Sequence, residues 1–129
     1  MRIIVCGSRE WNNFKAMNFE LVALYASTDF KNITIVHGDC HGADKMAGAI
    51  AQRLGMTVEP HPADWAGRGK IAGPERNRLM ASLGADLVLA FKDDFDPEMK
   101  RGGTENMVKL AIEAGIPVRV FSNGARYDR

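Results

Sequence analysis

The residues able to do chemistry in this chain fall into four short segments. They are Gly7-Ser8-Arg9-Glu10-Trp11, His37 through Asp44, His61-Pro62-Ala63-Asp64-Trp65, and Arg101-Gly102-Gly103-Thr104. Both tryptophans, all three histidines and both cysteines lie in or within a few residues of these segments. Gly7-Ser8 and Gly102-Gly103-Thr104 each place small residues where a strand or loop enters a helix. Missing side chains let a phosphate approach backbone N–H groups at the positive helix end, and a Ser or Thr hydroxyl adds a donor. Tight turns alone use the same glycines. Two such loops on one edge favour an anion over a turn. Neither carries the full dinucleotide fingerprint or a P-loop, so the usual modes of NAD binding and ATP hydrolysis are unsupported.

Arg76 and Arg78 flank Asn77 near the start of a helix. An arginine there can reach a phosphate with its planar fork, and Asn77 can read an amide-like or base edge. The alternative is a solvated helix face, and position favours the functional role for Arg76 but not for Arg78. Asp39, Asp44 and Asp64 can hydrogen-bond ribose hydroxyls or act as bases, while Asp44 serves equally well as a helix cap. Trp11 and Trp65 can stack on a base or cover a pocket, or simply pack. Cys6, Cys40, His37, His41 and His61 invite a zinc reading, but no pair has the compact spacing of a structural site, so no metal is expected. Gly38 and Asp39 complete the candidate set at the end of the second strand.

These segments owe their common location to the elements between them. Hydrophobic periodicity alternates between strand-like and helix-like along the chain. The apolar runs Ile3–Cys6, Ile33–Val36, Met56–Glu59, Asp86–Phe91 and Val118–Phe121 predict five strands. Phe14, Met17, Leu21, Leu24 and Tyr25 fall at helical spacing, as do Met46, Ala47, Ile50, Ala51 and Leu54. A third helix is expected to open at Pro74 with an apolar stripe of Leu79, Met80 and Leu83. A fourth, N-capped by Thr104, carries Val108, Ala111 and Ile112. Strands alternating with helices predict an α/β fold: one Rossmann-like domain over residues 1–129, a three-layer sandwich around a five-stranded parallel sheet. Residues 122–129 read as a polar tail. In such sheets ligands bind outside the carboxyl ends of the strands, where all four chemical segments fall.

The bulk properties set limits. A chain of 129 residues can bury about two-thirds of its unfolded surface and needs no disulfide or metal to fold. Its formal net charge of +1 offers no whole-chain electrostatic grip on nucleic acid or membrane. Two cysteines form no secreted-type framework, and the amino-terminal apolar run is too short for a signal peptide or a membrane span. A cytoplasmic protein is expected. The stretch Lys92 to Arg101, acidic and then basic, reads as a solvated loop able to close over a ligand.

Taken in order, Gly7-Ser8-Arg9-x-Trp11, His37-Gly38 followed by Gly42-Ala43-Asp44, Pro62-Ala63-Asp64-Trp65, Gly73-Pro74-x-Arg76-Asn77-x-x-Met80 and Gly103-Thr104 form a recognisable set. The set resembles the YspA-like branch of the SLOG superfamily, named for the Smf/DprA and Lonely-guy proteins. The resemblance extends from Arg2 to about Phe121. It implies a Rossmann-like domain that binds nucleotides or nucleotide-derived ligands. Lonely-guy members are phosphoribohydrolases that cleave the N-glycosidic bond of cytokinin nucleotides with an arginine and a glutamate. Arg76 resembles that arginine. The glutamate would lie three residues beyond Thr104, where this chain has Met107; Glu105 is near but projects differently. The Pro-Gly-Gly entry to that loop is replaced here by the Lys92–Arg101 stretch. DprA proteins, which the Arg-Asn-Arg sequence resembles, bind single-stranded DNA. The low net charge and the absence of an aromatic-and-basic stripe argue against carrying that role over.

The leading expectation is a domain that binds or senses a small nucleotide-derived ligand, with no cofactor. Gly7, Ser8, Gly102, Gly103 and Thr104 would cradle phosphate, with Arg9 or Arg76 neutralising it. Asp44 or Asp39 would meet the ribose, and Trp11 or Trp65 the base. The alternative is an N-glycoside hydrolase acting on a nucleoside monophosphate, with Arg76 on phosphate and Glu105 or Asp64 as the working carboxylate. A nucleic-acid module is the least favoured, and the resemblance also implies self-association as a homodimer or higher homo-oligomer.

Overall fold

Six strands form one sheet in the order β3-β2-β1-β4-β5-β6. The computed structural model describes residues 1–123 and the backbone of the strand Ala125–Asp128; Gly124, Arg129 and the side chains of that last strand lie outside the described residues. The strands are β1 (Arg2–Gly7), β2 (Thr34–His37), β3 (Thr57–Pro60), β4 (Leu87–Phe91), β5 (Val118–Ser122) and β6 (Ala125–Asp128). The first five pair in parallel, as the alternation of elements predicts. β6 pairs antiparallel with β5, Phe121 opposite Arg126. The stretch expected as a polar tail therefore supplies an edge strand. The pair Asn123-Gly124 between β5 and β6 is a strong hairpin signal in the sequence.

The helices are α1 (Phe14–Ala23), α2 (Ala43–Leu54), α3 (Trp65–Arg68), α4 (Ala72–Leu83) and α5 (Gly103–Glu113). Alternate residues of β1 divide the interior. Ile3 and Val5 join Leu89 and Phe91 beneath Met17 and Leu21 of α1 and Ile50 and Ala51 of α2. Ile4 and Cys6 join Val88, Ala90 and Val120 beneath Met80 of α4 and Met107, Val108 and Ala111 of α5. The sheet is thus covered on both faces, which is why its central strands are continuous apolar runs. Each fully buried side chain of the size of Phe91 contributes about 1.5–3 kcal/mol.

Three local expectations need correction. Helix α4 begins at Ala72, two residues before Pro74. A proline there costs little, because first-turn N–H groups have no partner within the helix. Of the expected α4 stripe only Met80 is buried, while Leu79 and Leu83 are exposed. Thr104 does not cap α5: Gly102 is the N-cap, and Thr104 is buried one residue inside the helix start at Gly103. No helix among the described residues is long and apolar enough to cross a membrane.

The strand order reverses between β1 and β4, so the chain ends of these two neighbours open a crevice at the carboxyl edge. That crevice requires Gly7. A Cβ at Gly7 would sit 2.3 Å from the Phe91 carbonyl oxygen and 2.7 Å from the Ala43 Cβ. Both obstacles are backbone or a short side chain on a packed helix, so neither can swing away. Gly7→Ala is expected to cost about 1–3 kcal/mol, the range for overpacking a close-packed site. Urea unfolding would measure it, and an unchanged midpoint would mean that β1 and α2 are not packed this closely.

Candidate ligand-binding cleft

At the carboxyl edge of β1, β2 and β4 lies a cleft of about 750 Å³, within the usual range for small-molecule sites. Eleven of the fourteen binding residues expected from the sequence line it: Gly7, Ser8, Arg9, Gly38, Asp44, Trp65, Arg76, Asn77, Gly102, Gly103 and Thr104. The structure brings them together from five separate segments.

Arg76 is the central member. Its side chain leaves α4 and runs to the end of β2, where Nη1 donates to the carbonyls of Gly38 and His61. Nε donates to Asn77 Oδ1 at 2.8 Å, and among the described residues Nη2 has only the Cys40 sulfur, 4.0 Å away. Among the described residues no carboxylate pairs with it. Gly38 must lack a side chain for this arrangement, since a Cβ there would fall 2.3 Å from Arg76 Nη1. Asn77 is buried, and its amide group donates to the Gly103 carbonyl at 3.2 Å and to Asn106 Oδ1 at 3.0 Å. Asn77 therefore ties α4 to the start of α5 instead of presenting free donors to a base.

Two helix starts meet the cleft. At α5 no side chain caps the N-terminus, and Gly102, Gly103 and Thr104 all line the cavity. The first-turn N–H groups there carry the partial positive charge of the helix end. At α2 the buried carboxylate of Asp44 turns back onto the preceding loop, where Oδ2 accepts from Gly38 N at 3.1 Å and Cys40 N at 3.3 Å. Burial pushes Asp44 up to about 6, against the opposing effects of the Cys40 N–H and the Arg76 charge. Burial likewise raises the Cys6 thiol and lowers His37. His37 Nδ1 accepts from Asp39 N at 2.9 Å, which the neutral ring allows.

Several expected residues stand elsewhere. Trp11 is in the core, its ring centroid 5.4 Å from that of Phe91, with Nε1 donating to the Asn13 carbonyl. Its insertion fills the loop after β1, so α1 starts only at Phe14, capped by Asn13. Gly7-Ser8 consequently does not enter a helix. Ser8 N donates to the Phe91 carbonyl at 2.9 Å, so that N–H is engaged, while Ser8 Oγ accepts from Glu10 N and keeps its hydroxyl proton as a donor in the cavity lining. Asp39 occupies a left-handed turn with φ of 59° and pairs with Lys45. Asp64 caps α3, accepting from Gly67 N. Glu105 is buried, with Lys92 Nζ 2.9 Å from both of its oxygens and Asp96 N donating to Oε2. Arg78 is exposed.

The cleft also contains residues outside the fourteen binding residues expected from the sequence. Lys70, Lys92, Lys100 and Arg101 line it, together with Cys40 and Asn106. With Arg9 and Arg76 they make six cations, against Asp44 as the carboxylate of the lining. A net charge of +1 averages this concentration away. The signal that locates Arg101 is its place immediately before Gly102-Gly103, on the strand-end side of α5. Trp65 is half-exposed over the cavity with the Arg9 guanidinium 5.8 Å from its ring centroid, a cation–π distance. Among the described residues no group of three His, Cys, Asp or Glu side chains is placed to hold a metal ion.

The burial of Asp44 carries a pH signature. Its folded-state value near 6 lies above the ordinary 3.8. Between those values the folded chain holds a proton that the unfolded chain has released, so stability falls as pH rises from 4 to 6. Asp44→Asn removes this contribution. Wild type is expected to lose on the order of 2 kcal/mol more than Asp44→Asn across that window. Urea unfolding at pH 4 and 6.5 provides the comparison, and parallel pH profiles would show that Asp44 titrates as a solvated acid.

Comparison with known proteins places this architecture. The model of the YspA, cpYpsA-related SLOG family matches residues 1–67. The Gene 61 protein of Mycobacterium phage D29 is 34% identical over 127 residues, covering 95% of this chain and 97% of that protein. DNA processing protein A from Helicobacter pylori, whose structure was analysed for its single-stranded DNA binding mode, superimposes with a TM-score of 0.61 at 16% identity. That match covers 93% of this chain, which spans 64% of the other structure. At that identity the likeness is one of fold, and it confirms the Rossmann-like α/β architecture. The length of the family match and the identity to the phage protein settle the assignment: this chain belongs to the YspA, cpYpsA-related SLOG family.

Proposed function

We propose that the cleft binds a small nucleotide-derived ligand, with a phosphate at the start of α5, a ribose beside Asp44 and a base against Trp65. The observation that carries this reading is that an uncapped helix N-terminus and an arginine without a carboxylate partner line one cavity. Backbone N–H groups and a fixed guanidinium together form an anion site. Asp44 disfavours a phosphate beside it and suits a hydroxyl donor. The partly exposed ring of Trp65 suits a planar partner.

The protein in this reading binds its ligand and does not hydrolyse it. Both oxygens of Glu105 are engaged by Lys92, and Asp64 caps a helix outside the cleft. The two carboxylates that N-glycoside hydrolysis would call upon are thus committed to structural contacts. A second reading, single-stranded nucleic acid, is favoured by the six cations and the exposed tryptophan, and by the DNA-binding behaviour of the Helicobacter pylori neighbour. A gel shift with an oligothymidylate that weakens steeply between 50 and 200 mM salt would establish it. No shift at low salt would end it.

Gly103→Ala tests the primary reading without disturbing the fold. A Cβ at Gly103 meets nothing within 4 Å, and alanine in a helix is favoured over glycine by about 0.5–1 kcal/mol. The unliganded melting temperature is therefore expected to stay or rise. AMP at a hundred times its Kd should raise the wild-type midpoint by several degrees, from about 2.7 kcal/mol of linkage. The added methyl should shrink that rise, and Arg76→Ala should abolish it. A full ligand-induced rise in both variants would place the phosphate elsewhere.

A further inference from the structure

We infer that the β4–α5 segment is a cationic clamp, pinned from below by buried Glu105, whose Lys100 and Arg101 hold a second phosphate, so that the site selects nucleoside diphosphates and their derivatives over monophosphates. This inference rests on the proposed nucleotide binding and specifies the ligand class.

The unbalanced charge around the cavity points to it. Among the six lining cations Lys92 is neutralised, its ammonium held by Glu105. Arg9, Lys70, Arg76, Lys100 and Arg101 have no carboxylate partner among the described residues. Five unpaired cations against the single lining carboxylate of Asp44 repel one another. A phosphate monoester brings about two negative charges at most. That leaves part of the positive charge of the lining without counter-charge.

Position separates the two walls. Arg76 is bound to the carbonyls of Gly38 and His61, beyond the ends of β2 and β3. Lys100 and Arg101 come from the other direction, out of the segment that follows β4 and leads into α5. The start of α5 joins them: Gly102 follows Arg101 directly, Asn77 next to Arg76 donates to the Gly103 carbonyl, and all of these residues line the same cavity. A linked pair of phosphates running along the α5 start would meet both walls.

The segment is anchored, although its surface is exposed. Glu105 accepts from Asp96 N at 3.1 Å as well as from Lys92, which fixes the middle of the loop to the buried helix start. Asp96 in turn organises the next residues: its carbonyl accepts from Met99 N at 3.0 Å and its carboxylate from Glu98 N at 3.0 Å. Gly102 makes room for this anchor, since a Cβ there would lie 2.0 Å from Glu105 Oε1 and 2.8 Å from Met99 Sδ. Glu105 touches no ligand in this arrangement and acts as a positioning residue. Its position three residues after the Gly102 N-cap lets its carboxylate fold back under the loop.

Calorimetric titration of the full chain with AMP and with ADP tests the clamp. Wild type is expected to bind ADP at least about tenfold more tightly than AMP, equivalent to about 1.4 kcal/mol. In the double variant Lys100→Ala/Arg101→Ala this ratio should collapse towards one. Glu105→Gln should lower it also, because a neutral amide holds Lys92 and Asp96 N less firmly. The exposed mid-helix substitution Lys109→Ala should leave the ratio unchanged. A change of ratio at constant melting temperature separates positioning from a loss of stability. Should Glu105→Gln fail to fold, the Lys100/Arg101 variant, confined to exposed side chains, still decides the question. Equal affinity for AMP and ADP in wild type overturns the clamp and leaves nucleotide binding standing. Absence of binding by both overturns the clamp together with the reading on which it rests.

Discussion

The Arg76 guanidinium, lodged where Gly38 has no side chain, is the contact on which the architecture of the cleft depends. It connects three elements at once: α4, which carries it, and the ends of β2 and β3, whose following residues supply carbonyls to Nη1. Through Nε it orients Asn77, and Asn77 in turn holds the first turn of α5 through Gly103 and Asn106. A planar group with five donors can make all these contacts from one position, and a lysine cannot. The guanidinium is half-buried among protein dipoles, and among the described residues no carboxylate forms an ion pair with it. Carbonyl oxygens stabilise the cation without neutralising it, so its field remains available to an anion.

The other polar contacts follow a common pattern, in which acidic groups are committed to holding backbone or cations in place. Asp44 gathers the N–H groups of Gly38 and Cys40, which shapes the loop that receives Arg76. Glu105 gathers Lys92 and Asp96 N on the far wall. Asp39 and Asp64 close turns outside the cavity. The basic residues of the lining are left mostly without such partners. A chain of nearly balanced charge thereby presents a strongly polarised face, through geometry and not through composition. Met107 is fully buried in the core, and the nearby Glu105 is a scaffold group.

Much of this was legible beforehand. Five parallel strands follow from short apolar runs alternating with helical periodicity, because a strand buried on both faces has no polar positions to show. The edge at which the candidate residues collect follows from the same order, since strand ends that precede helices all emerge on one side of a parallel sheet. Eleven of the fourteen binding candidates line one cavity for that reason. Trp11 does not, because an aromatic near a strand end can turn inward or outward with the same sequence neighbours, and here the core beside Phe91 claimed it.

What the sequence by itself determined was the inventory: the element types, their order, the glycines at close approaches and the carboxyl-edge location of Arg76, Asp44 and Trp65. These depend on local periodicity and chain direction, which neighbouring residues encode. Only the tertiary structure decided the partners. That Glu105 belongs to Lys92, that Asn77 is committed to α5, and that Lys70, Lys100 and Arg101 share a cavity with Arg9 are consequences of helix packing across the sheet. Side chains up to tens of residues apart meet there at 3 Å or not at all. Hydrogen-bond and charge pairing fall off over such distances too steeply for spacing along the chain to foretell them.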